Sequence, residues 1–197
     1  MRNIGLLVLR LVLGSFLFGH GAQKLFGWFG GPGLTGTRGM MEKMGMRPAE
    51  TWGTIAAGGE TTGGLLTLLG FLSPLGPLNI IAMMMVAIRK AHWKWPVWNS
   101  GGGLEFPLTN LAAAFALALA GPGAISVDGL LGTRLPKVLQ ALAWIATIGG
   151  AVIAIRRPEL VEQAMNTVAQ TVAPAVGETQ VENRPVQNQP GVTSPGQ

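Results

Sequence analysis

Long apolar stretches interrupted by very few ionisable residues constrain this chain more than any other feature. From Ile4 to Phe26 only Arg10, Ser15, His20, Gln23 and Lys24 break the apolar run. That is about 23 residues, and a hydrocarbon core takes about 20. Comparable stretches lie at roughly 52–72, 75–90, 104–120 and 137–155. A charge at bilayer depth costs about 2.5–3.5 kcal/mol on insertion scales, so a buried one faces a bundle interior and marks a site. Arg10, His20, Lys24, Glu60 and Glu105 are therefore the residues to follow.

Composition agrees with a bilayer solvent. Hydrophobic residues make up 48% and charged residues 12% of the 197 positions, where soluble domains carry about 25% charged residues. Five of the six tryptophans, at 28, 52, 93, 95 and 98, sit near the ends of apolar stretches, where amphipathic rings favour the membrane interface. Trp144 lies inside its stretch. The net charge of +5 resides in loop Lys and Arg. No basic helix or aromatic stacking platform accompanies it, which argues for anionic headgroups and against nucleic acid. Cysteine is absent, so disulfides, thiolate nucleophiles and Cys-ligated clusters are excluded within this chain.

The expected organisation is an all-α integral membrane protein. Residues 1–157 form one transmembrane domain with spans at about 4–26, 52–72, 75–90, 104–120 and 137–155. Residues 158–197 form a polar, largely disordered tail that holds at most a short helix at 159–172. A signal-peptide reading of the first stretch is weaker, because Arg10 and Lys24 break its apolar core and no clean cleavage pattern follows. Pro74, Gly76 and Pro77 leave only a short turn between spans two and three, which makes them an antiparallel hairpin. Gly59 and Gly63 smooth one face of span two, for either an internal contact or a homo-oligomer.

Basic residues suggest the orientation. Arg38, Lys43, Arg47, Arg89, Lys90, Lys94, Arg156 and Arg157 fall on one side, against Arg2, Arg134 and Lys137 on the other. The positive-inside rule then places loops one and three and the C-terminus in the cytoplasm of a multi-pass plasma membrane protein.

Two constellations stand out. At 100° per residue Arg10, Gly14, Gly21 and Lys24 fall within about 80° on one face of the first helix. Fourteen residues at about 1.5 Å each separate the two cations by roughly 20 Å, so they share a stripe but not a site. Glu60 lies near the middle of span two, where it is either protonated or paired with a cation, and Arg10 is the expected partner. The second constellation is a pocket at the end of span one, loop one and the start of span four, with His20, Lys24 and Glu105 converging and Trp28 at its wall. Lys24 also fits an ordinary snorkelling lysine, and Glu105 an ordinary interfacial carboxylate. The two histidines, His20 and His92, lack metal-ligand spacing, so no metal is expected.

The segments LVLRLVLGSFLFGHGAQKLFGWFGGPGLTGT, GGETTGGLLTLLGFLSP and NSGGGLEFPLTNLAAAFALALAGPGAISVD resemble the DoxX family of small integral membrane proteins over about residues 1–130. HGAQKLFGWFGGPG is the most specific piece. The resemblance implies a core of four transmembrane helices, to which this chain adds a fifth span and a polar tail. It also implies a redox-associated membrane subunit, linked to quinone or to sulfur and oxidative-stress chemistry, acting with a soluble redox or sulfur-transfer enzyme. On that reading a quinone carbonyl is polarised by Arg10, or by Lys24 and His20, while Glu60 or Glu105 exchanges protons. No flavin, haem or cluster motif is present, so a second protein supplies the electrons. The alternative is a non-catalytic scaffold or transport-like protein whose buried ions fix helix register.

Overall fold

A computed structural model describes residues 1–98 and 102–172. Among them the regular structure is helical throughout. Each of the five apolar stretches forms a helix: α1 (Arg2–Phe26), α3 (Ala49–Leu69), α4 (Leu75–Ala87), α5 (Glu105–Ala120) and α7 (Lys137–Arg156). Shorter helices join them: α2 (Gly33–Lys43), α6 (Val127–Leu131) and α8 (Pro158–Val172).

Glycine and proline set the boundaries. Gly27 ends α1 in the left-handed conformation (φ 73°), which costs a residue without Cβ little. Gly70 does the same for α3 (φ 61°), so the helix stops three residues short of the expected end at 72. Its N–H bonds to the Thr67 carbonyl at 3.1 Å while Phe71 N–H reaches Leu66 at 3.0 Å, the paired bonds of a Schellman cap. Pro74 and Pro136 immediately precede α4 and α7, where their missing N–H has no consequence. The last turn of α4 widens into a π-turn at Ile88–His92.

α1 packs along α3, α3 against α4, α4 against α5, and α5 returns to α1, with α7 laid on the outside of α4. Leu13 and Leu17 of α1, Leu78, Ile81 and Met84 of α4, and Ala114 and Leu117 of α5 share the buried core. A second cluster joins Met41, Met46, Trp52 and Ala154 at the end where α1, α4 and α7 finish and α3 begins. For brevity this is the upper end.

The expected smooth face of α1 is the one that meets α3. A Cβ on Gly14 would lie 2.5 Å from the Leu68 backbone, and Cβ atoms on Gly21 and Gly64 would overlap the backbones of Thr61 and Phe18. The two helices thus touch backbone to backbone. Gly59 and Gly63 instead face Met83 and Asn79 of α4. Their role is internal.

Much large apolar surface remains outward, including Ile4, Val8, Val12 and Phe16 on α1 and Leu142, Ile145, Val152 and Ile153 on α7. By length and composition α1 and α7 are able to cross a membrane, with mean hydropathies of 1.7 and 2.1, and α5 is apolar but shorter. The segment after residue 157 begins as a helix, α8, over the stretch 159–172 where a short helix is the expectation. The expected disordered tail at 173–197 lies outside the described residues.

Candidate functional site

Backbone contact between α1 and α3 fixes which charges meet. Gly14 lies at Leu68, Phe18 at Gly64 and Gly21 at Thr61. Each step up α1 is matched by a step back along α3. This register sets Lys24 at the level of Glu60, and the Lys24 ammonium donates to Glu60 Oε1 as a direct ion pair. Glu60 is 6% exposed. The same register carries Arg10 past the end of α3, so the expected Arg10–Glu60 pair does not form.

Arg10, 2% exposed, performs a different task. Its guanidinium donates to the Leu68 carbonyl at 3.2 Å and to the Ile125 carbonyl. Leu68 belongs to the last turn of α3, whose carbonyls have no intrahelical donor, and a cation also suits that end of the helix dipole. The Asp128 carboxylate nearby adds its attraction. Asp128 accepts from Leu72 N–H (3.0 Å), Ser73 N–H (2.8 Å) and the Thr133 hydroxyl (2.8 Å). It thereby clamps the α3–α4 turn, where Leu72 holds a left-handed φ of 51°. This lower-end lock is structural.

At the upper end the Lys24–Glu60 pair forms part of the wall of a cavity of about 390 Å³. Met40, Met41, Met44 and Met46 come from α2 and the loop after it, Trp52, Ile55 and Ala56 from α3, and Met83 and Val86 from α4. The π-turn adds Lys90 and His92, and α7 supplies Ala146, Thr147, Gly150, Ala151 and Ala154. Thioether side chains are flexible and polarisable, which suits a wall that adapts to an apolar guest. Thr37, fully buried, donates to the Lys24 carbonyl at 3.1 Å and so ties α2 to the end of α1. His92 Nδ1 lies 2.7 Å from the Gly102 carbonyl oxygen. A carbonyl only accepts, so Nδ1 donates the hydrogen of this bond.

Glu60 Oε2 and the Trp52 indole N–H are buried with no partner among the described residues. An orphaned buried polar atom costs about 1–3 kcal/mol. One acceptor and one donor, on two residues of the same apolar cavity, match a ligand with an apolar body and oxygen functions.

Of the sequence-derived pocket, only Lys24 lines this cavity. His20 sits beside it on α1 but turns to Phe106 at the start of α5, ring centroids 5.5 Å apart and 62° between planes. Glu105 begins α5 away from the cavity, its N–H bonded to the Val97 carbonyl at 3.0 Å. Trp28 is half exposed and stacks between Phe26 (5.1 Å) and Phe29 (6.3 Å) in an aromatic group on the surface. The four residues share the upper end but do not converge. Trp52, Lys90, His92 and the methionines went unrecognised, although four methionines within seven residues at 40–46 were visible as a local excess. Among the described residues no His, Asp and Glu group is arranged to hold a metal ion.

Residues 5–93 match the DoxX family model. This segment belongs to the DoxX family. The DoxX segment contains Lys24, Glu60, Trp52, the methionines, Lys90 and His92, and so most of the cavity wall. It stops short of the stretch 99–128 that also resembled the family, and of α7 and Asp128. DoxX is a membrane family, which fits the outward apolar face of α1 within the matched segment. No curated protein and no solved structure gives a significant match.

Proposed function

We propose that this protein is a redox-associated membrane subunit that binds a lipid-soluble quinone in the cavity beside Lys24 and Glu60. The observation that carries the reading is the pairing of an apolar, methionine-walled space with two unsatisfied buried polar groups, the Trp52 N–H and Glu60 Oε2. The Trp52 indole is a donor for a carbonyl oxygen, and Glu60 is an acceptor for a hydroxyl. Lys24 pairs with the Glu60 carboxylate and places its positive charge beside the cavity. Quinone supplies two-electron chemistry when bound, with electrons delivered by a soluble redox or sulfur-transfer partner. Purified protein should release quinone into an organic extract. Trp52→Phe, which keeps the aromatic body and loses one hydrogen bond, should weaken decylubiquinone binding roughly tenfold. Glu105→Gln should leave it unchanged. Co-purifying soluble enzymes with no quinone in the extract, and no decylubiquinone binding, would instead favour a non-catalytic scaffold.

In this reading α1, α3, α4 and α5 form the four-helix transmembrane core and α7 a fifth crossing of the plasma membrane. The upper end, with Arg38, Lys43, Arg47, Arg89, Lys90, Lys94, Arg156 and Arg157, faces the cytoplasm together with the C-terminus. An alkaline phosphatase fused after residue 197 should accordingly be inactive. Activity of that fusion would invert the topology.

A further inference from the structure

The α7 side of the cavity is built unlike the rest. Its lining residues Ala146, Thr147, Gly150, Ala151 and Ala154 recur at helical spacing on one face and are all small. Among the long helices α7 packs mainly on α4, with Trp144 against Phe115 of α5 and Ala154 near Trp52 of α3, and its outer face carries exposed Ile145, Ile148, Val152 and Ile153. The wall is one helix thick there, and in the proposed topology lipid lies beyond it. Gly150 lines the cavity and is itself exposed, and a Cβ placed there meets nothing within 4 Å. Its neighbour Gly149 has the same open surroundings but does not line the cavity.

We propose that Gly150 is the threshold of a lateral portal, through which a hydrophobic ligand enters from the bilayer past α7, and that the absence of a side chain there sets the size admitted. The inference deepens the quinone reading and names the route. It also locates the determinant outside the DoxX segment, which ends at residue 93. A ligand arriving this way needs no passage through the charged loops, and its apolar tail can stay in lipid while its head reaches Lys24 and Glu60.

The lack of native cysteine gives a test of the route that does not depend on the identity of the ligand. Ala56→Cys introduces a single thiol on the α3 wall, opposite α7. In bilayer nanodiscs, pyrenyl-maleimide, which partitions into lipid, should label it, while a sulfonated maleimide confined to water should label it at least tenfold more slowly. Adding Gly150→Leu should slow pyrenyl-maleimide at least tenfold, and adding Gly149→Leu should change the rate less than twofold. The Gly149 variant controls for the helix propensity that both substitutions gain. Equal rates in the Gly150 and Gly149 variants, faster entry of the sulfonated reagent, or no labelling at all would each overturn the portal. Protection of the thiol by decylubiquinone is read separately. Its absence with the Gly150 effect intact would remove the quinone and leave the portal.

Discussion

Lys24→Leu is expected to destabilise the protein by about 3–5 kcal/mol, and Glu60→Leu by a similar amount, because each leaves a charge buried without its partner. The double replacement should recover most of that loss. Two leucines at the α1–α3 contact fill the space of the ion pair without any group to desolvate, and replacing both members of a buried pair by apolar residues is often neutral or better. Thermal melting in detergent of the parent, the two single variants and the double variant gives the coupling directly. A second cycle built on Arg10 and Glu60 should show simple additivity, since Arg10 bonds to the carbonyls of Leu68 and Ile125. Strong coupling in that cycle, or none in the Lys24 cycle, would mean that the α1–α3 register differs from the one described. The double variant should also lose quinone binding while regaining stability, which separates the pair's functional role from its structural one.

Asp128→Ala carries the other large effect. The carboxylate satisfies two backbone N–H groups, those of Leu72 and Ser73, and the Thr133 hydroxyl. Each buried donor left alone costs about 1–3 kcal/mol, so the loss should reach about 3 kcal/mol or more. Asp128→Asn should cost about half as much, since its single carbonyl oxygen can still serve Leu72 and Thr133 while its amide cannot accept from Ser73. Melting temperature and protease cleavage in the turn at 70–74 report both variants. An alanine variant as stable as the parent would show that water replaces the carboxylate there.

The sequence announced the elements and withheld the register. Apolar runs closed by Ser73-Pro74 and Gly121-Pro122 were legible because such stop signals are local and act within their own turn, whereas the left-handed cap at Gly70 was passed over and the end of α3 set three residues too late. The stripe Arg10, Gly14, Gly21 and Lys24 was also legible, since it follows from helical periodicity alone. The partner of Glu60 was not. Arg10 and Lys24 both lie on the correct face, and the choice between them depends on how far α3 slides along α1. That is decided by close contacts at Gly14, Gly21 and Gly64 jointly, which no single spacing reveals. The pocket expected from His20, Lys24, Trp28 and Glu105 rested on a shared membrane face. A shared face brings residues to one end of a bundle without aiming their side chains together, and His20 and Trp28 have aromatic partners of their own. Asp128 escaped notice because its value lies in backbone groups distant in sequence.

That distance bears on the order in which the protein is made. The carboxylate of Asp128 lies 56 and 55 residues beyond the N–H groups of Leu72 and Ser73, and Ile125 lies 115 residues beyond Arg10. As the chain emerges from its N-terminus, α1, α3 and α4 are all synthesised before either bond can form. The hairpin therefore waits with its turn unfastened and the Arg10 guanidinium short of one acceptor. The segment that follows α5 supplies both missing groups at once, so arrival of residues 125–128 works as a latch that closes after the helices it secures.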